Sequence, residues 1–157
     1  MGKLYAEDLG HYWKTSKTSS DDWIDKTIKL IRSSGGQVQG SYSGSDLAGG
    51  RSALMISFQF ADDSFKIIWP VLPSRGKEDR AARVQAATLL YYDVKAKLLS
   101  AQILGFRTSF FSNILLPDGR TASEVVTPEL TKVIPALFSG HMPVLNPGQD
   151  SIDGEWR

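Results

Sequence analysis

A chain of 157 residues, 41% hydrophobic and 22% charged, has the composition of one soluble globular domain with enough apolar material for a core, and it is too short for two full domains and a linker. Eighteen Lys and Arg against seventeen Asp and Glu leave a formal charge of +1, so no global excess announces a nucleic-acid or membrane partner. The absence of cysteine excludes disulfides, thiolate zinc sites, iron–sulfur clusters and cysteine nucleophiles.

Residues 1–18 place Tyr5, Tyr12 and Trp13 among polar residues and read as an arm leading into a helix cap. From Asp21 the pattern turns helical: Trp23, Ile24, Thr27, Ile28, Leu30 and Ile31 recur at spacings of three and four, and Gly35-Gly36 stops the run. Ser19 or Ser20 caps it, and Asp21, Asp22 and Asp25 suit the positive end of the helix dipole. A strand over 37–42 follows, then a Gly-rich loop over 43–50. In the next strand Leu54, Ile56, Phe58 and Phe60 alternate with Ala53, Met55, Ser57 and Gln59, the period of a sheet with one buried face. Asp62-Asp63-Ser64 forms a reversal, and Phe65, Ile67, Trp69 and Val71 alternate until Pro70 and Pro73 end a third strand. Three strands on short loops pair as an antiparallel meander.

Residues 77–104 hold the strongest period in the chain, with Val84, Ala87, Tyr91, Val94, Leu98 and Ala101 on one stripe and Gly105 closing it. This long helix must lie beside the first on the apolar face of the sheet. Beyond it, Phe106 to Leu116 is apolar, Pro117-Asp118-Gly119 is a turn, and Thr121 with Glu124 has capping-box spacing for a short helix. A restart at Thr127-Pro128, a break at Pro135, a Pro-rich strap over 141–148 and a polar, acidic tail over 149–157 complete the chain. The fold class is therefore α+β in the order helix, three strands, long helix (α-β-β-β-α). The arm is 1–18, the core 19–105, and the C-terminal helical extension with its strap and tail 106–157, packed into the same domain.

Charge is unevenly placed: residues 1–120 hold sixteen Lys and Arg against twelve Asp and Glu, while 121–157 hold two against five. Arg75, Lys77, Arg80 and Arg83 gather at the start of the long helix, where unsatisfied backbone NH groups already favour an anion. Together with Arg51 and Lys66 they form the candidate phosphate-binding set, with Glu78 and Asp79 interspersed as competing partners.

The α-β-β-β-α order, with basic residues opening the second helix and Arg80-Ala-Ala-Arg-Val-Gln-Ala-Ala87 after them, resembles the double-stranded-RNA-binding domain across residues 19–104. The resemblance implies that Lys77, Arg80 and Arg83 grip phosphates and that residues 43–51 act as the loop reaching a minor groove. This chain differs from the family in its short Ser74-Arg75-Gly76 approach, in lacking consecutive lysines, and in a longer second helix. Three further strings, Asp93-Val-Lys-Ala-Lys-Leu98, Leu116-Pro-Asp-Gly-Arg-Thr121 and Met142-Pro-Val-Leu-Asn-Pro-Gly148, resemble segments of small uncharacterised proteins of phages and mobile elements.

Enzymatic readings find little footing. His11 and His141, the two histidines, stand in no HExxH or HxH frame, and no G-x-S-x-G elbow is present. The glycines over 44–50 lack a following Gly-Lys-Ser/Thr and precede a strand instead of a helix. For a metal-dependent nuclease, Asp46, Asp62 and Lys66 come nearest to the required acids and base. The expectation is a protein without catalytic residues, metal or cofactor. Met1 to Gly10 has no apolar signal core and no run approaches ~18 apolar residues, which points to a cytoplasmic protein without a membrane span. Two partner classes remain. One is nucleic acid, DNA or RNA, at the basic set. The other is a protein partner or a second copy of the chain, engaged through Tyr12, Trp13 and Trp156 in the terminal arms and by the acidic tail.

Overall fold

Ser19 sets the first helix: its hydroxyl accepts from the Asp22 amide at 3.1 Å while the Asp22 carboxylate accepts from the Ser19 amide at 3.4 Å, a complete capping box. The computed structural model describes residues 2–9, 17–46 and 51–127. Within them the order is α1 (Ser20–Ser33), β1 (Gln37–Asp46), β2 (Arg51–Phe60), β3 (Asp63–Val71), α2 (Asp79–Leu104), α3 (Phe106–Ser109) and α4 (Ala122–Val126), with a 3₁₀ turn at Ala6–Asp8 in the arm. The strands form one antiparallel sheet in the order β1-β2-β3. This is the expected α+β arrangement. The restart at Thr127-Pro128, Pro135, the strap and the tail run beyond residue 127 into the undescribed part of the chain.

α1 leaves through Gly35 and Gly36, and a side chain at Gly36 would stand 2.7 Å from both Ile31 Cγ2 and the Phe60 ring. Only glycine lets the helix end and the sheet approach so closely. β1 is longer than the sequence suggests, because Ser43 to Asp46, the first four residues of the expected loop, pair with Arg51 to Leu54. Cross-strand bonding, including Ser45 and Ser52 hydroxyls 2.7 Å apart, overrides the weak strand preference of Ser and Gly. At the opposite end, Phe60 pairs with Asp63, and Ala61 takes φ +53 in the two-residue reversal. Pro70 lies within β3, not at its end, which an edge strand tolerates.

The core lies between the sheet and the two long helices. Phe58, Phe65 and Phe110 are fully buried, with ring centroids 5.3–5.8 Å apart, and Phe60 stacks on Phe106 at 3.9 Å. Ile31, Ile56, Ile67, Leu90 and Val94 fill the same cluster, and Trp23 and Trp69 pack half-buried on its rim. The helices run in the same direction: Trp23 near the start of α1 meets Tyr91 in the middle of α2, while Phe60 receives both Gly36 after α1 and Phe106 after α2. The buried Thr27 and Thr88 hydroxyls are satisfied within their own helices, Thr27 donating to the Trp23 carbonyl and Thr88 to the Val84 carbonyl.

Part of the second sheet face is buried as well. Ala53 and Met55 are buried with Ile68 against them. Residues 106–127 turn back after Gly105, which takes φ +88, and reach the free edge of β3, where Ile114 bridges Phe65 and the Leu115 amide donates to the Ser64 carbonyl. Edge pairing of this kind removes an open template for aggregation. Among the described residues no helix is long and apolar enough to cross a membrane. Phe110 joins the extension to the core, so Phe110→Ala should cost about 3–5 kcal/mol in urea denaturation; a loss below ~1 kcal/mol would contradict this packing.

Candidate functional site

The chain enters α2 through residues 72–78, and this connection is built around an anion. The Ser74 hydroxyl donates to Glu7 Oε2 at 2.7 Å, and the Arg75 and Gly76 amides donate to the same carboxylate at 3.1 and 3.2 Å. Arg75 then holds Asp8 in a two-pronged pair at 2.7 and 3.1 Å, its guanidinium 4.3 Å above the Tyr5 ring. The Ala6 amide donates to the Pro73 carbonyl, and the buried Gln85 amide group donates to the Ala6 carbonyl at 2.8 Å. The place where the sequence expects an external phosphate therefore receives two carboxylates from the arm.

These contacts set the local ionisation. The Ser74 hydroxyl above all, aided by the Arg75 and Gly76 amides, holds the Glu7 carboxyl down at about 2 against the opposing effect of desolvation. Asp8 is lowered chiefly by its bonds to Arg75, and Arg75 is raised by the same pair.

Lys77, Arg80 and Arg83 are exposed. Arg80 and Arg83 stand seven residues ahead of Ala87 and Leu90, hence on the stripe that buries against the core two turns later. The first turns of α2 must accordingly project past the sheet, their opposite side held by the arm at Gln85 and by the burial of Ala81 and Ala82. The pairing of Ser52 with Val71 puts Arg51, the β1–β2 connection and the approach to α2 at this same end of the sheet. Glu78 and Asp79 are exposed beside the three bases.

Lys66 does not join this face. It lies on the second face of the sheet, 2% exposed, donating to the Gly119 carbonyl at 2.9 Å with the buried Glu124 carboxylate 3.6 Å away. Thr121 caps α4 by accepting from the Glu124 amide, while the Glu124 side chain turns inward to Lys66. Burial lowers Lys66 and raises Glu124, and their mutual attraction opposes both shifts. Among the described residues no group of three His, Cys, Asp or Glu could hold a metal ion. Asp46 and Asp62 sit at opposite ends of the sheet, with Lys66 buried between, so the nuclease set is not assembled. His11, His141, Tyr12, Trp13 and Trp156 lie outside the described residues.

The carboxylates at Glu7 and Asp8 are the residues that sequence reasoning missed. No local pattern ties them to Ser74 and Arg75, 67 to 69 residues away. No family model, curated protein sequence or solved structure matches this chain.

Two measurements follow from these pairs. A carboxyl held below its unfolded value stabilises the fold above pH ~4.5 and loses that contribution as pH falls toward 2. Glu7→Gln should therefore lower the melting temperature at pH 7, with a gap from wild type that narrows at pH ~2.5; an equal gap at both pH values would contradict the cradle. For the buried pair, Lys66→Met alone should cost about 3–5 kcal/mol by stranding Glu124, whereas Lys66→Met with Glu124→Leu should restore most of the loss. A double variant no better than the single one, measured by urea denaturation, would show that the pair is not coupled.

Proposed function

We propose that this chain is a non-enzymatic nucleic-acid-binding accessory protein that contacts phosphates through Lys77, Arg80 and Arg83. The observation that carries the reading is the exposure of Arg80 and Arg83 on the projecting start of α2, at the end of the sheet that also carries Arg51 and the β1–β2 connection. The likeness of residues 19–104 to the double-stranded-RNA-binding domain supports duplex RNA as ligand, since phosphates across a groove are gripped there by the start of the second helix. Arg75 serves this interface indirectly, by anchoring the arm that holds the helix start in place. The short string likenesses support a phage or mobile-element setting.

A protein-binding role is the second reading. It is favoured by the apolar residues Leu99, Ile103, Leu104 and Phe111, which stand exposed around the end of α2.

Fluorescence anisotropy with labelled single-stranded DNA, duplex DNA and duplex RNA at ~50 and ~200 mM salt separates the two. Phosphate contacts predict affinity that falls steeply with salt, and Arg80→Glu with Arg83→Glu should flatten the log–log salt slope by about 2, one per lost contact. No binding to any of the three at ~50 mM salt, or binding indifferent to the charge reversal, would overturn the nucleic-acid reading.

A further inference from the structure

The arm grips the approach to α2 with two acids. The Glu7 carboxylate accepts from the Ser74 hydroxyl and from the Arg75 and Gly76 amides, and Asp8 takes both prongs of the Arg75 guanidinium. A hydroxyl, two successive amides and a guanidinium converging on anionic oxygen are also the donors that recognise a phosphate. The turn that carries them stands ahead of α2 and is held by bonds of its own: the Glu78 amide donates to the Ser74 hydroxyl at 3.0 Å and the Lys77 amide to the Ser74 carbonyl at 3.2 Å. The cradle therefore keeps its shape whichever anion fills it.

We propose that Glu7 and Asp8 are a removable acidic latch, and that a phosphodiester of the nucleic acid displaces them and takes Ser74, Arg75 and Gly76 as its donors. The inference rests on the nucleic-acid reading above and adds an autoinhibited state to it. Arg75 anchors the arm while the latch is closed and turns to phosphate when it opens.

The way the arm is fastened permits this exchange. Among residues 2–9 Ala6 alone is buried, while Leu4 is 48% and Leu9 39% exposed, so releasing the two carboxylates uncovers little apolar surface. Ala6 stays hooked through its amide to the Pro73 carbonyl and through its carbonyl to Gln85, which lets the acids swing aside without the arm leaving. Held down at about 2, Glu7 remains ionised through the neutral range and yields to a competing anion, not to mild acid.

Charge supplies the reason for a latch. Closed, Arg75, Lys77, Arg80 and Arg83 stand among Glu7, Asp8, Glu78 and Asp79; open, the same four bases face two acids. A phosphate on a backbone already touching Lys77, Arg80 and Arg83 meets the cradle at high effective concentration, whereas an isolated phosphate must compete with the tethered carboxylates from bulk solution.

Amide spectra of the full chain, titrated with inorganic phosphate to ~50 mM at constant ionic strength, read the cradle without nucleic acid. Glu7→Gln with Asp8→Asn keeps the side-chain shapes and the Ala6 hook, so circular dichroism should match wild type. In that variant phosphate should shift the Arg75 and Gly76 amides with an affinity at least ~10-fold above wild type, because the competing carboxylates are gone. Glu78→Gln with Asp79→Asn removes two charges at the same end but leaves the cradle filled, and there the two amides should stay still. In wild type, saturating duplex RNA should move the Arg75 and Gly76 amides as phosphate moves them in the latch variant. Amides unmoved by phosphate in the latch variant, moved equally in the Glu78 and Asp79 variant, or unmoved by bound RNA in wild type would each overturn the proposal. If duplex RNA binds no form of the chain while phosphate still enters the opened cradle, the nucleic-acid reading and its phosphodiester fall and the latched anion site stands.

Discussion

The 26 residues of α2 span about 39 Å, whereas the 14 of α1 span about 21 Å. Both run in the same direction and share the end of the sheet marked by Phe60, so the excess length of α2 accumulates at its start. That mismatch creates the rest of the architecture. Where α1 no longer reaches, Ala81, Ala82 and Gln85 would be left bare, and the arm supplies the cover by placing Ala6 there fully buried. Where the sheet no longer reaches, the core stripe of α2 changes from Ala87 and Leu90 to Arg80 and Arg83, which need water. One helix thus presents three surfaces: a core stripe, an arm-covered outer side at its start, and an exposed apolar row in its second half.

The two clusters of charge obey different rules. At the start of α2 Glu7 is half-buried and Asp8 exposed, and their hold on Ser74, Arg75 and Gly76 comes from hydrogen bonds aimed at ionised oxygen. The arm brings two carboxylates to a connection in which they engage one cation, Arg75, so the four bases at this end of α2, Arg75, Lys77, Arg80 and Arg83, stand among four acids, Glu7, Asp8, Glu78 and Asp79. At Lys66 and Glu124 the charges are buried, and desolvation opposes the pair that attraction forms. What that pair fixes is placement: Lys66 can reach the Gly119 carbonyl only when the turn at 116–119 and α4 lie over the second sheet face.

Whatever depended on neighbours in sequence was legible from it. The capping box at Ser19, the three-four period of both long helices, the presence of β2 and β3, and the close at Gly105 are all local, and each appears in the structure. The extension of β1 through Ser43 to Asp46 was not legible, because Ser and Gly enter a strand only when a partner strand holds them. Ala53 and Met55 looked like the exposed half of an alternating strand, since nothing in β2 records that a segment more than fifty residues later crosses the same face. The candidate site divides in the same way. Lys77, Arg80 and Arg83 are exposed as their polar surroundings suggest, while Arg75 and Lys66 have their charges engaged by carboxylates distant in sequence. Residue type marks a cation; only the tertiary fold decides which anion answers it.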